Sequence, residues 1–197
     1  DQTSVEIGAP IRRTIALSGM SAVVSHTLSR HALPILETAM SDDLGLSERQ
    51  AGYLSSAIFF TYLFGVGAMT VISGAVAPRR TLQGGLIASG AGFVVLAFAH
   101  QFWALVPGFI LCGAGSAGIW LSVPTIATSV TPARQRGMVM GSMSASMGVG
   151  LVVTSQLVRV VRGAVDDPGL WRPFWVGAGA FTATVPADRA LLYILVN

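Results

Sequence analysis

Long apolar runs separated by short polar connections dominate the chain. A helix needs about 20 mostly apolar residues to cross the hydrocarbon core of a bilayer, within a range of about 17–25. Six stretches are long enough: Thr14–Leu36, Ala51–Val76, Leu82–Ala99, Phe102–Thr128, Gly137–Val161 and Pro173–Val196. The pattern predicts an all-α membrane protein in which residues 1–197 form a single bundle of six transmembrane helices. The connections "PRRT" (Pro78–Thr81) and "TPARQR" (Thr131–Arg136) read as turns in which proline ends one helix before the next begins. A cleavable leader behind Arg12-Arg13 does not fit, because the run to Leu36 is too long for such a segment and ends without a small-residue cleavage site.

Composition agrees with lipid as the solvent. Hydrophobic residues make up 52% of the chain and charged residues 11%, against about 25% charged in soluble domains. The net charge of +3 comes entirely from arginine and is too scattered for a nucleic-acid patch. The lone Cys112, inside an apolar run, gives neither a disulfide framework nor metal-ligand spacing, and no metal or cofactor is implied.

Arginine placement sets an orientation. Arg12, Arg13, Arg79, Arg80, Arg134 and Arg136 flank alternate ends of the runs, while the connection Glu37–Gln50 carries Glu37, Asp42, Asp43 and Glu48 against Arg49. By the positive-inside rule the N-terminus is cytoplasmic and Glu37–Gln50 external. The connection Arg162–Arg172 is mixed, with two arginines and two aspartates.

Glycine is abundant, with 23 residues, and clusters in the fourth and fifth runs. Small residues four apart let membrane helices approach closely, which marks Gly113, Gly115, Gly137, Gly141 and Gly148 as helix-packing positions. A repeat is also visible. Arg49, Gln50 and Gly52 match Arg134, Gln135 and Gly137, each set behind a hydroxyl (Ser47, Thr131) suited to start a helix, and the first and fourth runs share a late proline, Pro34 and Pro124. The matched segments fall on opposite membrane sides, so the bundle reads as two inverted three-helix units, a plan common in secondary transporters.

The chain resembles the N-terminal half of a major facilitator superfamily transporter. The carrying motifs are "GAVAPRR" (Gly74–Arg80), "GFILCGAGSAG" (Gly108–Gly118), "RGMVMGSMSASMGVG" (Arg136–Gly150) and "WRPFW" (Trp171–Trp175). The region Arg30–Gly52 is similar to an uncharacterised bacterial branch whose first span carries an arginine just before Leu-Pro. The resemblance implies a bacterial inner-membrane carrier of a small solute, working by alternating access with a C-terminal six-helix half and with proton coupling. It also implies a gating loop around Gly74, Arg79 and Arg80. That loop lacks the family's usual aspartate, and Phe109 stands where drug antiporters often carry arginine.

Ionisable residues within a span are costly and point to function. His26, Arg30 and Pro34 are spaced i, i+4, i+8, and Glu37 follows Arg30 at i+7, so all share one helix face. The resemblance turns that face toward the central cavity. Arg30 is the candidate contact for an anionic substrate group, which its planar fork can hold bidentately, with His26 and Glu37 beside it. The bland alternative pairs Arg30 with Glu37, or with carbonyls freed by Pro34. His31 points about 100° away and reads as structural, as do Ser142, Ser144 and Ser146. A non-transporting half that pairs with another chain is a second reading. An intramembrane serine protease built on Ser116 is a third, but no histidine follows His100 to act as its base.

Reporters inserted in the 78–81 and 131–136 connections should read cytoplasmic and one in 37–50 external. The reverse pattern would overturn the orientation.

Overall fold

The acid-rich stretch after Leu36 continues the first helix instead of opening a loop. In the computed structural model, which describes residues 9–72, 74–129, 131–164, 169 and 171–185, α1 runs unbroken over Ala9–Leu44. Leu36 and Met40 are buried and Leu44 packs beside them, so the i, i+4, i+8 apolar stripe carries the helix past the acids. The helix ends at Gly45, whose φ of 61° is the left-handed conformation that closes helices. The Leu46 N–H then donates to the Ser41 carbonyl at 2.9 Å. The expected external loop Glu37–Gln50 is therefore corrected to the three residues Gly45–Ser47.

Five further helices follow: α2 (Glu48–Ile72), α3 (Pro78–Ala97), α4 (Phe102–Ser129), α5 (Arg136–Ala164, entered through a 3-10 turn at Ala133–Gln135) and α6 (Trp171–Thr184). Among the described residues there is no strand. Glu48–Ile72, Phe102–Ser129 and Ala133–Gln156 are long and apolar enough to cross a membrane. The remainder of the expected sixth span from Pro186, with Asp188 and Arg189, lies outside the described residues, as do Asp166 and Asp167.

The helix starts differ from expectation in two ways. Pro78 sits in the first turn of α3 and Pro132 caps the 3-10 turn, so proline opens these helices, using its fixed φ where no N–H is needed. Ser47 caps α2 reciprocally, its hydroxyl accepting from Gln50 N at 3.3 Å while its own N–H donates to Gln50 Oε1 at 2.9 Å. Thr131 instead donates back to the Ala127 carbonyl at 2.6 Å and caps nothing ahead of it. Pro34 and Pro124 lie inside helices without ending them.

α4 is the hub, packing against α1, α2 and α3, while α5 lies on α1 and α6 on α3. Two apolar clusters fill the bundle. One gathers Leu33, Leu36, Met40, Phe93, Leu105, Phe109 and Trp175; the other gathers Val23, Leu82, Leu86, Ile119, Val123 and Met143. Between them, at mid-height, every contributing helix turns small or polar. Ser25, His26, Thr27 and Ser29 on α1, Ser89 on α3, Ser116 on α4 and Thr182 on α6 are all buried there.

Glycine makes that layer possible. A Cβ on Gly115 would lie 2.6 Å from both the Gly85 carbonyl oxygen and the Ser89 nitrogen. One on Gly113 would lie 2.9 Å from the Ile58 carbonyl oxygen of α2. Backbone stands in the way at both places, so no side chain can rotate aside to make room. Gly137, Gly141 and Gly148, by contrast, face open space, with nothing within 4 Å of an added Cβ. No helix of the described chain packs against them.

Two adjacent α3 residues separate these effects. A Cβ on Gly85 would meet the Gly115 carbonyl oxygen at 2.8 Å and Ile119 N at 2.9 Å, whereas Gly84 has nothing within 4 Å. Gly85→Ala should destabilise the bundle by about 1–3 kcal/mol through overpacking. Gly84→Ala should be neutral or stabilising by up to about 1 kcal/mol through helix propensity. Thermal melts in detergent compare the two, and equal melting points would remove the tight α3–α4 contact from the account.

Candidate functional site

The polar face of α1 is met by α2 and α4. His26 Nδ1 lies 3.0 Å from the Ser116 carbonyl oxygen. A carbonyl only accepts, so this nitrogen carries the hydrogen. The ring also stacks on Trp120, with centroids 5.1 Å apart and planes 26° apart. Ser116 turns its own hydroxyl to the Gly113 carbonyl at 2.9 Å, which holds it within α4 and not in the geometry of a nucleophile with a base.

One turn along α1, Arg30 reaches α2. Its guanidinium carbon lies 4.0 Å from the Tyr62 ring centroid and 4.9 Å from that of Phe59. Among the described residues it makes no hydrogen bond or ion pair, and its Nη1 is buried without a partner. Pairing with Glu37 does not occur. Glu37 is half-buried and accepts the Ser55 hydroxyl of α2 at 2.6 Å. His31 meets the His26 ring edge-on at 6.4 Å.

The energetics leave Arg30 under-satisfied. An arginine at mid-helix costs about 2.5–3.5 kcal/mol on the lenient insertion scale. An exposed aromatic contact returns about 0.5–1 kcal/mol, so two rings offset only part of the cost. Neither ring contact is a hydrogen bond, and Nη1 stays without a partner among the described residues.

The structure thus brings Arg30, His26 and Glu37 onto one α1 face, over partners that sequence reasoning did not name. Ser55, Phe59 and Tyr62 recur at i, i+4, i+7 on α2, a polar-aromatic face whose periodicity was available in the sequence. Gly74 is exposed in the connection between α2 and α3, Arg79 is half-buried and Arg80 exposed in the first turn of α3. Away from the site, Arg172 pairs with Asp43 at 2.8 Å and Trp171 Nε1 donates to the same carboxylate oxygen at 3.1 Å, clasping α6 to the end of α1. Among the described residues no cluster of potential metal ligands occurs. A cavity of about 490 Å³ opens between α1, α5 and α6, lined by Val24, Leu28, Val153 and Phe181 among others. It is on the side of α1 opposite His26 and Arg30, which follow Val24 and Leu28 by two residues, or about 200°.

Apolar helices around a half-buried arginine and a layer of buried hydroxyls define a multi-pass membrane protein with a polar interior. The sequence model of the Major Facilitator Superfamily matches residues 16–196, and the chain belongs to that family. The family consists of transporters, not enzymes. An uncharacterized MFS-type transporter of Mycobacterium tuberculosis is 27% identical over 94% of this chain and 26% of its own length. The class G tetracycline resistance protein of Vibrio anguillarum is 33% identical over 77% of the chain and 34% of its own. Facilitated glucose transporter member 6 of human solute carrier family 2 is 23% identical over 66% and 27% respectively. The chain spans between a quarter and about a third of the length of these relatives.

Replacing His26 separates its two contacts. His26→Phe keeps a ring on Trp120 but loses the Ser116 bond, and should cost about 1 kcal/mol. His26→Ala loses both and should cost about 3 kcal/mol or more. Thermal unfolding midpoints read the difference, and equal losses would make the hydrogen bond the sole contact of consequence.

Proposed function

We propose that this chain is the N-terminal six-helix part of a bacterial inner-membrane carrier that moves a small organic anion by alternating access, with Arg30 as the anion contact. The single observation that carries this reading is Arg30 itself, a half-buried fixed cation on α1 whose Nη1 is buried with no hydrogen bond or ion pair among the described residues. His26 lies one turn away and braces α1 on α4, and Glu37 lies about 10 Å further along the helix. Family membership supports the transport function, and the bacterial relatives support the membrane assignment.

The inverted three-helix repeat belongs to the same proposal. Exchanging α1 with α4 and α2 with α5 turns the α1–α5 contact into the α4–α2 contact, and both occur. Gly52 and Gly137, matched in the sequence, are equally open. Open glycines on α5 and the outward aromatic residues of α2 support pairing with a second six-helix half, with Gly74, Arg79 and Arg80 in the cytoplasmic gating loop. Proton coupling remains part of the proposal, as does the cytoplasmic N-terminus.

Substrate binding by the complete carrier tests the reading. Arg30→Ala should lose anion recognition while yield and monodispersity hold. Arg30→Lys keeps the charge but loses the planar fork, and should bind more weakly than the parent. Liposomes containing only this six-helix chain should show no uptake. Normal binding by Arg30→Ala would make the arginine structural, and robust uptake by the six-helix chain alone would remove the need for a second half.

A further inference from the structure

The surroundings of Arg30 narrow the anion it takes. We infer that the site binds a monocarboxylate with a flat aromatic body, the carboxylate on the free edge of the Arg30 guanidinium and the body along Tyr62, Phe59 and Trp120. This inference rests on the reading of Arg30 as the anion contact.

Charge is the first argument. Arg30 is the only arginine of the described residues placed at this level. Arg12, Arg13, Arg49, Arg79, Arg80, Arg134, Arg136 and Arg172 stand at or beside helix starts, and Arg159 and Arg162 fall in the last two turns of α5. One cation balances one negative charge. A second negative charge on the ligand would go uncompensated in a region of low dielectric. The nearest charged group further along the α1 face is itself an acid, Glu37, held by Ser55. His26 adds no donor toward the ligand from Nδ1, because that nitrogen is committed to Ser116. A dicarboxylate or phosphate is therefore disfavoured twice.

Shape is the second argument. Tyr62 and Phe59 already lie 4.0 and 4.9 Å from the guanidinium carbon while Nη1 has no hydrogen-bond partner among the described residues, and a planar carboxylate matches a guanidinium edge bidentately. Phe59 is 51% exposed and Tyr62 and Trp120 are half-buried, so ring surface is open beside the cation. Trp120 is fixed by its stack on His26. A flat apolar body gains contact with these rings that a compact hydrated anion cannot.

The test is equilibrium binding of radiolabelled benzoate to the complete carrier in nanodiscs, with benzamide, succinate and inorganic phosphate as competitors. Benzoate should bind, and none of the three competitors should displace it. Arg30→Gln should weaken benzoate about ten- to a hundredfold, the range for losing a hydrogen bond to a charged group. Tyr62→Leu should weaken it about three- to tenfold through loss of the ring, and Tyr62→Phe, which restores a ring, should lose less than Tyr62→Leu does. Size-exclusion profiles and the Arg30→Lys variant separate lost binding from lost folding. No benzoate binding by the parent, or displacement by succinate or phosphate, overturns the aromatic monocarboxylate class. If succinate or phosphate binding is then lost in Arg30→Gln, the anion contact stands without that class. Undiminished benzoate binding by folded Arg30→Gln overturns both.

Discussion

The bundle depends on how closely backbones approach α4 between Gly113 and Gly118. Gly113 receives the backbone of α2 at Ile58, and Gly115 and Gly118 receive α3 at Gly85 and Thr81. Within the same stretch the Ser116 carbonyl takes the His26 hydrogen bond from α1. Three helices therefore meet fewer than two turns of one. In lipid the hydrophobic effect does not press helices together, so close packing and interhelical hydrogen bonds carry the association. Seating α2 on Gly113 also fixes the segment Ile58–Tyr62, and with it the two rings over Arg30. The charged site is thus positioned by a glycine that never touches it.

A polar layer at mid-height would be costly if its donors were left open. Much of it is satisfied locally: Thr27 donates to the Val23 carbonyl at 2.9 Å, Ser29 to that of Ser25 at 3.0 Å, and Ser146 to that of Met143 at 2.7 Å. Returning a hydroxyl proton to the preceding turn lets serine and threonine sit in an apolar helix while remaining small. Ser25 and Thr182 instead share a bond across α1 and α6 at 2.8 Å. The layer therefore combines close approach with few unmet groups; Ser89 Oγ and Arg30 Nη1 are buried without a partner among the described residues, and of the two only the arginine carries a charge. A guanidinium has five donors and no way to lose its charge.

Much of this was legible in the sequence because lipid imposes strong periodic demands. The apolar runs located the helices, and the i, i+4 spacing placed His26 and Arg30 on one face. What sequence could not supply was the partner of each face. Gly113 and Gly137 look alike in a string of small residues, yet one is pressed against α2 and the other meets nothing. Acids after Leu36 read as a loop because charge was weighed above the Leu36–Met40–Leu44 stripe that continues α1. Thr131 resembled Ser47 as a cap, but only Ser47 has a glutamine three residues on to answer it.

The crossing of α1 and α4 orders these details further. Gly19 lies near Val123, its added Cβ 3.7 Å from Val123 Cγ1, while His26 meets Ser116. Residue numbers rise on one helix as they fall on the other, so the two run antiparallel through the His26–Ser116 contact. Pro34 comes eight residues after His26 and Pro124 eight after Ser116, which puts the prolines on opposite sides of the crossing, each about 12 Å away. Each removes the N–H that would meet the carbonyl four residues back, which belongs to Arg30 on α1 and to Trp120 on α4. Each helix therefore lacks one internal bond on the side of the crossing toward its own C-terminal end. Both gaps fall at the turns that carry the cation and the stacked indole.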